Sequence, residues 1–334
     1  MSIVRVSFIS YILFALMALL NMGCSSSTAA NGDEDSNDDT KAHADSDSEG
    51  GSDDDDDSDS VSDTDTDSDS GGTCSRTQLE DITQKLREAI EAGNPEILPL
   101  AADLFYTLDG NQGTLAAGSG IWAFGTAVDA HLDVIDTKQC KTYSELIGAS
   151  WSTPHVMGFA MTINNTSGEI VDIYEISANA DNGWAFGADG YIAAIANQDW
   201  GTVAEAERLD RDDLESGARA YFEFFKDKDY DVPWGDPCSR LEGGKSAAVD
   251  NALRTTFNPD ETALEWWGSC SVGCPVMNFP IPVADAIIDE SINAVALVVQ
   301  FCAADIHMFH FLKDINPTWG YGIRHIHTIS VDCM

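Results

Sequence analysis

Hydrophobic and polar positions along the chain fall into two successions of the same kind. Behind Thr77-x-x-Glu80, a capping-box pattern, Leu79, Ile82, Leu86 and Ile90 recur at helical spacing until Gly93-Asn94-Pro95 stops the run. Behind Asp210, Leu214, Ala218, Tyr221, Phe222 and Phe225 predict a second amphipathic helix. Each helix leads into a proline, Pro99 or Pro233. The stretch from Asp103 to Gly110 then matches the stretch from Asp236 to Gly243 without gaps at an offset of 133 residues. Each succession ends in an alternating strand, with Ile170, Ile173, Ile176 and Ser177 matching Ile323, Ile326, Ile329 and Ser330. Between helix and final strand lie strand-like stretches, 155–163 in the first copy and 281–284 and 294–302 in the second, bounded by Gly, Asn, Asp and Pro turns. A helical part followed by a mostly antiparallel sheet, met twice, predicts an α+β protein of two domains of one fold, about 74–204 and 205–334. Each is expected to close around its own hydrophobic interior.

The first 73 residues follow a different pattern. Arg5 and the apolar stretch from Phe8 to Leu20 read as a secretory leader, too short for a spanning helix of about 20 apolar residues. Leu20-Asn21-Met22-Gly23-Cys24 resembles the lipobox of bacterial lipoproteins, with Asn21 and Met22 departing from the usual residues. The resemblance implies a signal peptide over 1–24, lipid on Cys24 and, from Ser25 after the cysteine, an outer-membrane address. Ordinary signal cleavage nearby is the alternative. Residues 25–73 are almost entirely Ser, Asp, Thr, Gly and Ala and cannot form a core. They predict a disordered acidic tether. Asp65-x-Asp67-x-Asp69 has the first three positions of a calcium loop, but Ser70 stands where glycine is required and no Glu occupies the twelfth place.

Charge narrows the partners. The 334 residues carry a formal net charge of −40, and 18 of the 57 acidic side chains lie within 33–69. The remainder is still strongly acidic, so nucleic acid is not an expected partner, acidic ligands are poor ones, and contact with a membrane is expected only through lipid on Cys24.

Several motifs together are similar to the secreted family called domain of unknown function 8021. They are Tyr106-Thr107-x-x-Gly110, Leu115-x-x-Gly118-x-Gly120-Ile121-Trp122 and a terminal Gly-x-Ile-x-x-Ile strand, with Cys238-Ser-Arg240-Leu-Glu242-Gly243 and Phe279-Pro-Ile-Pro-Val-Ala-Asp285 in the second copy. The resemblance implies tandem cone-shaped barrels of the nuclear transport factor 2-like, or SnoaL-like, superfamily, each a helical part wrapped by a curved sheet with a pocket at its open end. Gly243 replaces an Asn of the family motif, and His325 and His327 stand where Glu is expected. The resemblance also suggests Cys238 bridged to Cys270 or Cys274. Cys74 with Cys140 is a second expected pair, since an exported chain permits disulfides. With Cys24 set aside, seven cysteines remain, so at least one is free or bridged to another molecule.

Enzymes of the cone superfamily use an Asp, Tyr or His in an apolar pocket, where burial tunes the acid or base. Residues of those types are Tyr106, Asp109, Trp122, Asp172 and Tyr174 in the first copy, and Arg240, Glu242, Asp285, His325 and His327 in the second. Alternation puts Asp172 and Tyr174 on one strand face with Ile170 and Ile176, and His325 with His327. Against a pocket role, Arg240 and Glu242 would form a structural ion pair, Asp109-Gly110 a turn, and Trp122 core. Four of the seven histidines fall within 307–327, which raises the question of a metal, but His307 and His310 face opposite ways in a strand, so at most one joins the pair. The expectation is no metal and no cofactor; a pH-responsive patch is a further reading. Trp184, Phe186, Tyr191 and Trp200 are expected to pack the two domains together. No nucleophile elbow, phosphate-binding glycine loop or zinc-protease motif occurs. The leading expectation is a binding module for a small apolar or mixed molecule. Its rivals are a cofactor-independent isomerase, cyclase or hydrolase and a structural envelope component.

Overall fold

The computed structural model of the chain describes residues 73–246, 270 and 279–333. The expected leader with Cys24, the tether over 25–72 and Cys274 lie outside these residues. Among the described residues no helix is long and apolar enough to cross a membrane.

Helix α1 (Arg76–Ala92) buries Leu79, Ile82, Leu86 and Ile90. It starts two residues earlier than the capping box at Thr77 predicts, because Ser75 is the N-cap and its hydroxyl accepts the N–H of Gln78 at 3.2 Å. Gly93, at φ 61, closes it with the left-handed residue that frees its N–H for the last carbonyls. Strands β1 (Leu100–Leu108), β2 (Asn111–Gln112), β3 (Ala130–Asp136), β4 (Lys141–Gly148), β5 (His155–Ile163) and β6 (Ile170–Ala178) follow. A connecting segment holds α2 (Ala188–Asn197), and α3 (Arg211–Lys226) opens the second succession. Its strands are β7 (Trp234–Glu242), β8 (Lys245–Ser246), β9 (Val283–Asp289), β10 (Ala294–Val299), β11 (Ala304–Lys313) and β12 (Tyr321–Val331).

The strands form two six-stranded mixed sheets, ordered β2-β1-β6-β5-β4-β3 and β8-β7-β12-β11-β10-β9. Only β1 with β6 and β7 with β12 run parallel; the other neighbours are antiparallel. The two ladders agree position by position. Tyr106 faces Ile173 as Arg240 faces Ile326, and Asp136 faces Lys141 as Asp289 faces Ala294. With β12 set 153 residues beyond β6, β7 lies 134 beyond β1, one more than the motif match predicts. The hairpin turn explains the slip. A two-residue loop of this kind needs positive φ at both central residues, supplied by Asp109 (49°) and Gly110 (76°) in one half and by Gly243 (59°) and Gly244 (93°) in the other. Gly110 therefore corresponds to Gly244, and Asp109 to Gly243.

Helix α1 packs on the inner face of the first sheet with Tyr106, Trp122, Phe159 and Ile173; α3 packs on the inner face of the second with Phe309, Phe311, Ile323 and Ile326. A third apolar cluster was not anticipated. It joins the outer faces of both sheets, Tyr143, Ile147 and Ile176 meeting Ile287, Ala296, Ile306 and Ile329, with Tyr191 and Trp200 of the connecting segment. The two halves therefore share one interior besides their own.

Reciprocal ion pairs flank that shared interior. Buried Asp136 accepts both guanidinium nitrogens of Arg211 (3.0 and 2.6 Å) and the N–H of Ile288 (3.0 Å). Its counterpart Asp289 accepts from Arg76, from the Ser291 hydroxyl at 2.7 Å and from the N–H of Ile135 at 3.1 Å. Each arginine is the first residue of its half's helix and reaches the strand end of the other half, the pattern of an isologous interface.

Among the described residues three disulfides are formed, Cys74–Cys140, Cys238–Cys270 and Cys302–Cys333. The last, which ties the loop after β10 to the end of β12, was not among the expected pairs. The second half has a non-covalent counterpart of the first bridge. Leu209 N–H donates to Asn293 Oδ1 and Asn293 Nδ2 donates to the Glu207 carbonyl, both at 2.9 Å, and Asn293 shares the positive φ of Cys140.

Candidate functional site

Alternation along β1 and β6 turns Tyr106, Ile173, Glu175 and Ser177 toward the inner face of the first sheet. There the Tyr106 hydroxyl donates to Glu175 Oε2 at 2.8 Å. Trp122, on the short helical turn Gly120–Ala123, lies by the same hydroxyl and opposes the rise of the phenol, but its buried Nε1–H has no hydrogen bond of good geometry among the described residues. The hairpin turn fastens the group from the side: Asp109 N–H donates to the Glu175 carbonyl and Ser177 N–H to Asp109 Oδ1, both at 2.9 Å. Tyr106, Trp122 and Glu175 are 6%, 3% and 1% exposed.

Burial dominates the protonation of this group. Loss of water pushes the Glu175 carboxyl up to about 8, with the Tyr106 bond opposing and the Asp109 charge adding. Asp109 is pushed up to about 6 by burial, against the Ser177 N–H and with Asp332. Burial, then the Glu175 charge, raises the Tyr106 phenol well above its ordinary range. At neutral pH the site is therefore a protonated carboxyl, a phenol and an indole N–H walled by apolar side chains, with the Asp109 carboxylate ionised at its side. A carboxyl that titrates near 8 can also give or take a proton near neutrality.

The same ladder positions hold other chemistry in the second sheet. Arg240 stands where the first sheet has Tyr106, and Thr328 where it has Glu175. Arg240 is buried; its Nε lies 3.1 Å from Glu242 Oε1 and its Nη1 donates to the Cys270 carbonyl at 2.5 Å, beside the Cys238–Cys270 bridge. Deeper in, Ser330 Oγ donates to Asp305 Oδ1 (2.7 Å), His307 Nε2 lies 3.1 Å from that oxygen, and His307 Nδ1 lies 3.0 Å from Thr328 Oγ1. Phe222 and Tyr221 of α3 cover the His307 ring at 4.9 and 5.7 Å.

Five of the expected pocket residues, Asp172, Tyr174, Asp285, His325 and His327, lie on the outer faces instead. A β-bulge in β6, where pairing with β5 shifts between Asp172 and Ile170, sends Ile170 to the inner face and Ile176 to the shared interior, so Asp172 and Tyr174 do not share one face with both. Asp172 lies near Lys141 and Asp285, and its carboxyl is raised by burial, then by Asp285, with Lys141 opposing. Tyr174 is pushed up to about 12 by burial, then by Asp305 and Asp109. Asp285 is not in the second interior; it pairs with Lys141 of the first half at 2.5 Å.

His325 and His327 share a face as expected, but it is the one that carries Ile329 and Val331 into the shared interior. His310 joins them and His307 does not. Glu145 Oε1 lies 2.9 Å from His327 Nδ1 and Gln198 Oε1 2.7 Å from its Nε2, while Ser239 Oγ lies 3.0 Å from His325 Nδ1. Among the described residues no group of three or more His, Cys, Asp or Glu is placed to hold a metal ion. Tyr191 and Trp200 are buried here, whereas Trp184 is 44% exposed and its indole N–H lies 3.4 Å from Glu242 Oε2.

Glu175, Asp305, Thr328, Ser330 and Glu145 were not among the site residues expected from the sequence. For Glu175 the available signal was its place two residues after Ile173, on the alternate set of β6 that the bulge turns inward.

No curated protein matches the chain. One solved structure similar to part of it is that of a protein of unknown function with cystatin-like fold from Methylobium petroleophilum PM1, at 14% identity, over 33% of this chain and 80% of that one, with a TM-score of 0.25. A likeness at that score carries no argument about fold or activity. The family model described as Domain of unknown function (DUF8021) matches residues 207–330, the span from just before α3 to β12.

Proposed function

We propose that this is an exported, lipid-anchored protein of two cone-like domains, about 74–204 and 205–334, held off an outer membrane by its acidic tether, and that the first domain binds a small neutral molecule bearing a hydrogen-bond acceptor. The tandem reading is supported by the ladder-for-ladder agreement of the two sheets and by the family match in the second half. The anchoring reading rests on Leu20 to Cys24 and is tested by the mass of the mature N-terminus, where a free or absent Cys24 contradicts it.

The observation that carries the binding reading is the buried set of protonated Glu175, the Tyr106 hydroxyl bonded to it and the Trp122 N–H, which has no hydrogen bond of good geometry among the described residues. An unpaired buried donor is costly, and a ligand carbonyl or ether oxygen would satisfy it. The ligand would be neutral, because an anion meets a strongly acidic protein and a charge meets an apolar wall. Thermal-shift titration with neutral cyclic ketones and lactones, against carboxylates of equal size, tests this. Selective stabilisation by the neutral set is expected, weakened about tenfold by Tyr106→Phe through loss of one hydrogen bond. Equal response to both sets, or preference for carboxylates, contradicts it.

A second reading is favoured by one fact, the Glu175 carboxyl at about 8. A group so placed suits cofactor-independent acid–base catalysis of an isomerase, cyclase or hydrolase type. Exchange of deuterium into the α-carbon of a bound ketone, abolished by Glu175→Gln, would select it over simple binding. The structural-component reading draws support only from the second half, where the α3 aromatics cover the inner polar chain.

A further inference from the structure

Between the outer faces of the sheets lies a cluster that the ligand reading does not use. His310 and His325, directly opposite in the β11–β12 ladder, stack with ring centroids 5.3 Å apart and planes 8° from parallel. Trp200 lies over both and over His327, at 5.1, 5.5 and 5.1 Å. Gln198 binds the strap to the sheet: its Oε1 accepts from Trp200 Nε1 (2.8 Å) and from His327 Nε2, and its Nε2 donates to Ser239 Oγ (2.8 Å), the partner of His325. The other His327 nitrogen meets Glu145 of the first sheet, and Tyr191 of α2 donates to the Thr328 carbonyl. Both nitrogens of buried His310 lack a hydrogen-bond partner among the described residues.

We propose that this cluster is an acid-sensitive latch: protonation of the stacked His310–His325 pair releases the Gln198–Trp200 strap from the second sheet and loosens the junction between the halves. Two imidazolium ions cannot share a stacked, dry contact. The charged and titratable groups facing the pair do not compensate. Asp199 on the strap and Glu145 on β4 are the carboxylates at the cluster, Arg324 on β12 adds a cation, and His327 a further imidazole. The phenols of Tyr143 and Tyr191 are held neutral by burial, and Asp305 and Glu242 act on Tyr191. Burial pushes His310 down to about 4, with Asp199 opposing and Arg324 adding. Burial, then the His310, His327 and Arg324 charges, holds His325 well below the ordinary imidazole value. A released imidazole takes its proton near 6.5, so the latch is closed above that value and loses free energy as pH falls from about 6.5 toward 4.

Hydrogen exchange of the whole protein at pH 7.5 and 5.0, corrected for intrinsic rates, reads the latch directly. Protection over 188–204 should fall at least tenfold at pH 5.0 while β5 keeps its protection, and His310→Phe should reduce the loss. Equal protection of the strap at both pH values overturns the proposal, as does equal loss in β5, which would mean general unfolding. Should His310→Phe not fold, the imidazole C2–H resonances of the native protein decide: His310 titrating near 6.5 without change at Trp200 contradicts the latch, and a low, coupled titration supports it.

Discussion

Where β6 of the first sheet carries Glu175, β12 of the second carries Thr328, and where β1 presents Tyr106, β7 presents Arg240. The backbone under these pairs is the same ladder, down to the two positive-φ residues of the hairpin turn. One inner face holds a phenol, an indole and a buried carboxyl that keeps its proton at neutral pH; the other holds an ion pair beside a disulfide and a Ser–Asp–His–Thr chain beneath two aromatic rings. What the halves retain is what closes them together, Asp136 with Arg211 and Asp289 with Arg76. The comparison teaches that register and junction are the fixed part of this architecture, while the interior positions are free to take different chemistry.

The contrast in fastening gives the largest expected effect. Replacing Cys74 and Cys140 by Ala opens a bridge that spans 66 residues and should cost about 4 kcal/mol on the loop-entropy scale. Asn293→Ala, at the equivalent position, leaves the Leu209 N–H and Glu207 carbonyl unpaired and should cost about 1–3 kcal/mol. Guanidinium denaturation of both variants checks the ranking, and equal losses would break the comparison.

The reciprocal junction predicts equality instead. Asp136→Ala and Asp289→Ala each remove an arginine's buried partner and the acceptor of two backbone N–H groups, so each should lose about 3 kcal/mol. A difference larger than about 1.5 kcal/mol in urea titrations would show that the junction is not energetically symmetric.

Smaller per pH unit, and opposite in sign for two regions, is the linkage to protons. Glu175, raised to about 8, contributes stability that is complete below about 4.5 and lost as pH rises through about 8. His310 and His325, both lowered, contribute stability that is complete above about 6.5 and lost on acidification. Relative to Glu175→Gln, the native protein should lose up to about 1.4 kcal/mol per pH unit between pH 4.5 and 8, measured by denaturation across that range.

Much of the plan was legible in the sequence because helical spacing, the closing Gly-Asn-Pro and the two Ile-x-x-Ile-x-x-Ile strands are local signals. What escaped depends on geometry that one strand does not reveal. The match of Gly110 to Gly243 followed residue identity, whereas the turn demands a pair of positive-φ residues and so pairs Asp109 with Gly243. The bulge in β6 reversed the face of Asp172 and Tyr174 and brought Glu175 inward. His325 and His327 were correctly read as sharing a face, yet only the second sheet layer, through Glu145 and the Trp200 strap, makes that face an interior. Cys302 and Cys333 lie 31 residues apart in sequence and meet because Ala304, at the start of β11, faces Val331, at the end of β12.

The first interior is set apart by the proton it holds on the Glu175 carboxyl. Carboxyl-carbon NMR of the folded protein, with Glu175→Gln to assign the resonance, measures this directly. A Glu175 midpoint near 8 is the predicted result; a midpoint between about 4 and 5, the range of an ordinary glutamate, would contradict it.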